Sequence, residues 1–309
     1  MILGSRLHRG RSGQTHASVA ISSPVLTVEI SPIGAELTSV VDCHGKEWLW
    51  QGEAISWPRQ APILFPVIGR CRGGVVRHDG KAYPMPNHGF APDAAFEIVS
   101  STREACTFRL RDDAGSREFY PFEFQLDITF EVSGDALIQR AQVTNTGEVE
   151  LHYSFGFHPG FRWPLPTSAS VARDGHELRF RSTEPHGIRR ITGEGLGPPQ
   201  SSPVVGTVLS LSDELFAPGA VVFDRLKSNQ FWFGVPGCQG ILVDVHGLPQ
   251  FGVWTRPPAA FLCLEPWCGY ADPIGFDGEL ANKPGSRRLS AGATSWHIMR
   301  IAVGRGLPA

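Results

Sequence analysis

Toward its C-terminal end the sequence reads Leu264-Glu265-Pro266-Trp267-Cys268-Gly269-Tyr270-Ala271-Asp272. The carboxylate of Glu265 follows the apolar run Phe261-Leu262-Cys263-Leu264 and precedes a proline, which predicts a strand end partly shielded from water. Such shielding raises a carboxyl pKa toward the range useful to a general base. Trp267 and Tyr270 add flat apolar faces of the kind that pack on the C–H face of a sugar. A carboxylate that pairs with an arginine or caps a loop would leave the same local sequence.

A second group able to move protons is His158, in Ser154-Phe155-Gly156-Phe157-His158-Pro159-Gly160-Phe161. Its imidazole titrates near neutrality, so it can donate or accept at working pH, or it can hold a loop at the rim of the core. In Tyr83-Pro84-Met85-Pro86-Asn87-His88-Gly89-Phe90-Ala91, Gly89 implies a tight turn or a close backbone approach. Asn87 and His88 there offer directional hydrogen bonds to a polar ligand or to the loop itself. Arg70 closes Phe65-Pro66-Val67-Ile68-Gly69-Arg70, where a guanidinium can hold two adjacent oxygens or make a surface ion pair. Each signal is modest alone, and their joint presence is the informative feature.

The elements that must position these groups read as strands. Residues 25–30, 96–99 and 107–111 are β-branched or alternating, and residues 122–132 alternate apolar and polar over a long run. Residues 136–145 follow Gly134-Asp135, a turn compatible with a hairpin. Further strands are expected at residues 219–223, 231–235, 240–245, 251–255 and 260–264, separated by Pro- and Gly-bearing turns. No amphipathic helix longer than about three turns stands out. The fold class is therefore all-β, a large antiparallel β-sandwich with few short helices, one face of each strand buried and the other wetted. Residues 23–305 are expected to form one domain. Residues 1–22, with Arg6, Arg9 and Arg11 and no apolar segment after them, are expected to be a disordered extension rather than a secretory signal.

Composition narrows the function. Of 309 residues 41% are hydrophobic, enough for a full core, and the formal net charge of -2 builds no basic field for nucleic acid. No run approaches the ~18 apolar residues of a membrane span. The six cysteines contain no CxxC pair, which fits free thiols in a reducing, cytoplasmic setting, and Cys263 and Cys268 match no zinc spacing. Neither a Gly-rich dinucleotide fingerprint nor a P-loop is present.

Taken in order, the segments Phe65-Pro66-x-x-Gly69-Arg70, Asn87-His88-Gly89-Phe90-Ala91, His158-Pro159-x-Phe161 and Glu265-Pro266-Trp267-x-Gly269-x-x-Asp272 resemble the aldose 1-epimerase (galactose mutarotase-like) superfamily, and within it the LacX-type branch. The resemblance covers roughly residues 25–303. It implies a β-supersandwich with an open cleft, no metal or other cofactor, and a sugar substrate handled as a monomer or homodimer. It also implies Glu265 as catalytic base, His158 as catalytic acid, and His88 and Arg70 as holding sugar hydroxyls with Asn87 beside them; Trp267 joins the sugar-binding set on its flat ring. Two departures bear on substrate identity. The arginine that usually follows Ala91 is replaced by Pro92-Asp93. The family's hydroxyl-gripping aspartate has no clear counterpart; Asp213, in Ser212-Asp213-Glu214-Leu215-Phe216, is the candidate and Asp244 the runner-up. Three alternatives stay open: a hexose-6-phosphate 1-epimerase, a non-catalytic carbohydrate-binding protein, and a glycoside hydrolase pairing Glu265 with Asp272 or Asp244.

Overall fold

The computed structural model describes residues 7–9, 15–167 and 170–308. Two antiparallel sheets dominate. The larger has nine strands, in spatial order Val208–Ser210, Glu177–Phe180, Gln230–Gly234, Gly240–His246, Thr294–Arg305, Ala136–Asn145, Phe124–Ser133, Ala105–Arg111 and Glu97–Ser101. The other has eight: Gly195–Leu196, Arg189–Thr192, Val221–Phe223, Gln250–Trp254, Phe261–Cys268, Phe155–Phe157 and Ile63–Leu64, with Gly160–Arg162 also pairing to Phe261–Cys268. Among the described residues the α-helices are two four-residue turns, Ala114–Arg117 and Asp213–Phe216. Among the described residues no helix is long and apolar enough to cross a membrane.

The sheets pack face to face. Phe231 of the nine-stranded sheet stacks on Phe251 of the eight-stranded one, ring centroids 4.2 Å apart and planes 8° from parallel. Strand periodicity sorts the side chains. In Phe261–Cys268, Leu262 and Leu264 enter the core between the sheets, whereas Phe261, Cys263 and Trp267 join apolar clusters on the outer face. All eight residues of this strand are buried. The expectation of one wetted face therefore fails here, because the segment carrying Trp50 and Trp57 covers the outer face.

Glu265 also sits differently from the expectation of a strand end. It lies inside the strand, opposite Gly252. Pro266 does not end the strand because its missing N–H falls where the neighbouring chain switches from Phe155–Phe157 to Gly160–Arg162 and the ladder is already interrupted. His158 and Pro159 occupy that interruption, which brings the imidazole beside the carboxylate.

Val19–Ser22 pairs with Leu26–Ser31, which pairs with Glu36–Asp42. The ordered fold thus begins before residue 23, since Ile21 is buried against the core. Residues 1–6 and 10–14 of the expected extension lie outside the described residues.

His297 is fully buried between the sheets, stacked on Phe155 at 5.0 Å. Its Nδ1–H donates to the Gly247 carbonyl (2.8 Å), leaving Nε2 to accept from the Tyr153 hydroxyl (3.0 Å). Burial pushes its pKa down from 6.5 to about 4. A histidine depressed in this way supports the fold fully above pH 6.5 and loses that support as pH falls toward 4. At ~1.4 kcal/mol per pH unit, ~3 kcal/mol is at stake for this residue. Urea unfolding at pH 7 and pH 4.5 is expected to show this acid loss, and His297→Gln to flatten part of it.

Candidate active site

A cleft of about 510 Å³ opens over the outer face of the eight-stranded sheet. Its floor holds His158 and Glu265, with Nε2 and Oε2 3.1 Å apart and side chains only 7% and 3% exposed. Trp57 stacks on the His158 ring at 5.1 Å, Trp254 meets it edge-on at 6.0 Å, and His88 approaches edge-on at 5.5 Å. This aromatic box excludes water from both groups.

The exclusion sets their protonation. Burial holds Glu265 well above the usual carboxyl value of 4.5. Burial, then the neighbouring His88, holds His158 well below 6.5. Both shifts favour one shared proton resting on the carboxyl, which donates to Nε2. Moving that proton along the 3.1 Å contact gives the carboxylate–imidazolium form without any exchange with solvent.

His88 is set by its backbone. It adopts φ 66° beside Gly89 at φ 79°, and a Cβ on Gly89 would lie 2.1 Å from the Phe65 carbonyl oxygen, so the close approach read from sequence is present. The Gly69 N–H donates to His88 Nδ1 (3.1 Å), which fixes that nitrogen as an acceptor and leaves Nε2–H as the donor. Burial and the Arg59 charge lower its pKa to about 4, keeping the ring neutral. Asn87 lines the cleft beside it.

Trp267 forms part of the floor at 1% exposure. The indole lies across two glycines: a Cβ on Gly156 would stand 2.6 Å from its Cδ1, and one on Gly252 2.5 Å from its Cη2. Gly252→Ala is expected to displace the ring, lowering unfolding stability by ~1–3 kcal/mol and raising the KM for substrate. Urea denaturation paired with steady-state kinetics checks both.

Four positions raised from the sequence sit elsewhere. Asp213 is not among the cleft residues; it begins a short helix and pairs with Arg173 at 3.1 Å, with Phe216 of the same turn anchored against Trp163. Asp244 belongs to the nine-stranded sheet and bonds Gln230 (2.6 Å) and Arg300 (3.0 Å). Arg70 is exposed and lines an adjoining depression with Arg72 and Glu194, which shares Asn87, His88 and Ile191 with the cleft. Asp272 is buried in a pair with Lys283 (2.5 Å) and takes the Arg72 N–H, so it does not face Glu265 across the cleft.

Sequence reasoning passed over Trp57, Arg59, Trp254 and Arg256, all of which line the cleft, and cited Asp93 only as a departure. Trp57-Pro58-Arg59 lies shortly before the Phe65-Pro66 segment, and Trp254 stands two residues beyond Gly252 on the floor side of its strand. Cys263 lies close to the pair; its Sγ and the His158 and Glu265 heteroatoms fall within 4.8 Å of one another, a set of described residues that could hold a metal ion.

The family model for aldose 1-epimerase matches residues 18–191. The chain belongs to the aldose 1-epimerase family. Within it the chain is similar to the LacX-type branch. The plasmid-encoded protein LacX of Lactococcus lactis is 28% identical over 289 residues, covering 86% of this chain and 93% of LacX. A galactose mutarotase related enzyme from Lactobacillus acidophilus superposes with a TM-score of 0.86 at 28% identity, over 93% of this chain and 97% of its own. A galactose mutarotase-like protein from Lactobacillus casei gives the same TM-score of 0.86 and 28% identity, over 93% and 99%. In this aldose 1-epimerase family member the match covers both His88 and His158, while Glu265 comes from the part of the chain beyond it.

Proposed function

We propose that the protein is an aldose 1-epimerase that interconverts the α and β anomers of a free aldose by opening and reclosing its ring. The observation that carries the reading is the 3.1 Å contact between His158 Nε2 and Glu265 Oε2 at the floor of a cleft walled by Trp57 and Trp254. The anomeric hydroxyl and the ring oxygen are bonded to the same carbon, so a side-by-side pair reaches both at once. An acid and a base placed on opposite sides of the ring are not needed.

In the reactive form Glu265 is the carboxylate and His158 the imidazolium. Glu265 takes the proton of the anomeric hydroxyl, the electron pair of that O–H forms the C1 carbonyl, and the bond from C1 to the ring oxygen breaks. The ring oxygen keeps that bond's electrons and takes the proton from His158. Both residues are then neutral, the state that burial favours in the empty cleft. Rotation about C1–C2 presents the other carbonyl face, and closure returns each proton. Every step is a proton transfer to or from a positioned side chain, so the chemistry calls for no metal or organic cofactor. His88 Nε2–H and Asn87 would hold ring hydroxyls. The six unpaired cysteines suit a cytoplasmic site of action.

Polarimetry of freshly dissolved α-glucose and α-galactose tests the reading, with accelerated approach to the anomeric equilibrium expected for one or both. Exchange no faster than in buffer for every aldose tried would remove it. Arg70 and Arg72 in the adjoining depression favour a second reading, a phosphorylated aldose, and a faster rate with the 6-phosphates would select it. The pH profile of kcat/KM is expected to be a bell whose active form carries one proton on the pair. The acid limb reports a second proton added to His158 and should fall below pH 6.5. The alkaline limb reports loss of the proton from Glu265 and should fall well above pH 4.5. An acid limb centred at or above pH 6.5 would contradict the burial account.

A further inference from the structure

The catalytic pair explains bond breaking but not choice of sugar, and neither Asp213 nor Asp244 reaches the cleft to make that choice. Among the described residues lining the cleft, the carboxylate other than Glu265 is Asp93, and it is joined to Arg59. Their side chains are 31% and 32% exposed, open to a ligand where the catalytic pair is nearly sealed.

The two are held in place from three parts of the chain. Buried Glu36 accepts the Gln60 and Ala61 N–H groups (2.8 and 3.1 Å) and a bond from Arg59 Nη1 (3.3 Å). Arg59 Nη1 also donates to the Pro92 carbonyl (2.9 Å), and Nη2 donates to Asp93 Oδ1. The turn carrying Asp93 is pinned in its turn by Gly34 N–H to the Ala94 carbonyl (2.7 Å) and Phe96 N–H to the Pro32 carbonyl (2.9 Å). The small sheet containing Glu36 therefore supports a preorganised ion pair at the cleft wall. These contacts engage Nη1 and one N–H of Nη2, so Nε–H and the second Nη2–H remain to be offered. The Arg59 charge already reaches the sugar-site histidine, His88.

We propose that Arg59 and Asp93 form a specificity-determining wall that reads two adjacent hydroxyls of an aldopyranose, a proposal that rests on the sugar-site reading above. A guanidinium only donates and an ionised carboxylate only accepts, whereas a hydroxyl does both. Two neighbouring hydroxyls match the pair, one accepting from Arg59 and the other donating to Asp93. An analogue lacking either hydroxyl covers the pair and leaves one of its hydrogen-bonding positions unfilled, although the two charges still hold each other, and that loss discriminates against it.

The test compares wild type with Asp93→Ala, Asp93→Asn and Arg59→Lys on a parent aldose and its monodeoxy analogues, by anomer-exchange kinetics and by calorimetric binding. Asp93→Ala is expected to raise KM and Kd for the parent sugar by ~10–100-fold. Its kcat should stay within about threefold, because binding rather than chemistry is lost. The penalty that wild type shows for one monodeoxy analogue should vanish in the variant. Asp93→Asn keeps the shape and an acceptor for Arg59, so it answers the case in which the alanine variant misfolds; the same loss of selectivity is expected. Arg59→Lys keeps the charge and loses the fork, and should blur a neighbouring position. An unchanged selectivity profile in folded Asp93→Asn with exchange intact overturns the wall alone. Failure of every aldose to bind overturns it together with the reading beneath it. Binding without exchange overturns only the epimerase reading, since calorimetry still reports the wall.

Discussion

Glu265→Gln is expected to lower kcat/KM for anomer exchange by ~10²–10⁴-fold while leaving a folded protein. The amide has the size of the carboxyl but cannot accept the anomeric proton. It can still donate to His158 Nε2, so the 3.1 Å contact that locks the floor has a replacement. The fold should gain from the change. A carboxyl whose folded pKa is raised supports the native state fully below its ordinary value of 4.5 and loses that support as pH climbs through the folded value. Glutamine removes this term, so the variant should unfold at higher urea than wild type at pH 8. An exchange rate equal to wild type in a folded variant would remove Glu265 from the chemistry.

His158→Asn is expected to cost a similar ~10²–10⁴-fold, because the ring oxygen then leaves without a proton. The pair acts on one shared proton, so the losses should not multiply. The double variant Glu265→Gln/His158→Asn should be about as slow as the slower single variant, the behaviour of residues that work as a unit. Multiplicative losses would mean that the two act independently, and the shared-proton account would fall. Because Trp57 stacks on the His158 ring, circular dichroism and tryptophan emission should accompany the kinetics to show that the box has not collapsed.

The fold class was legible because alternation is written directly into the chain. Residues 136–145 read as a strand and Ala136–Asn145 is one, paired with Phe124–Ser133 in the expected hairpin. The longest of the described strands, Thr294–Arg305, was not read, because His297 interrupts its buried face and its satisfaction depends on Gly247 and Tyr153 far away in sequence. Glu265 and His158 could be named from their neighbours, but their 3.1 Å contact depends on a break in the adjoining strand that no local pattern records. Arg59 was invisible for a related reason. An arginine in a loop reads as solvated until the buried Glu36, 23 residues earlier, is seen beneath it. Asp213 failed in the opposite direction: its place along the chain suited a sugar ligand, yet Ser212 caps its turn and Arg173 takes its carboxylate.

Glu265 is carried inside a strand whose eight residues are all buried and which has paired strands on both sides, the ladder breaking on one side only where His158 enters. A base placed there cannot be loosened by fraying at an edge. The amide protons of Phe261–Cys268, Pro266 having none, should therefore exchange with deuterium only when the whole molecule opens, and heat inactivation should trace the same curve as loss of structure, with no folded but inactive species before it.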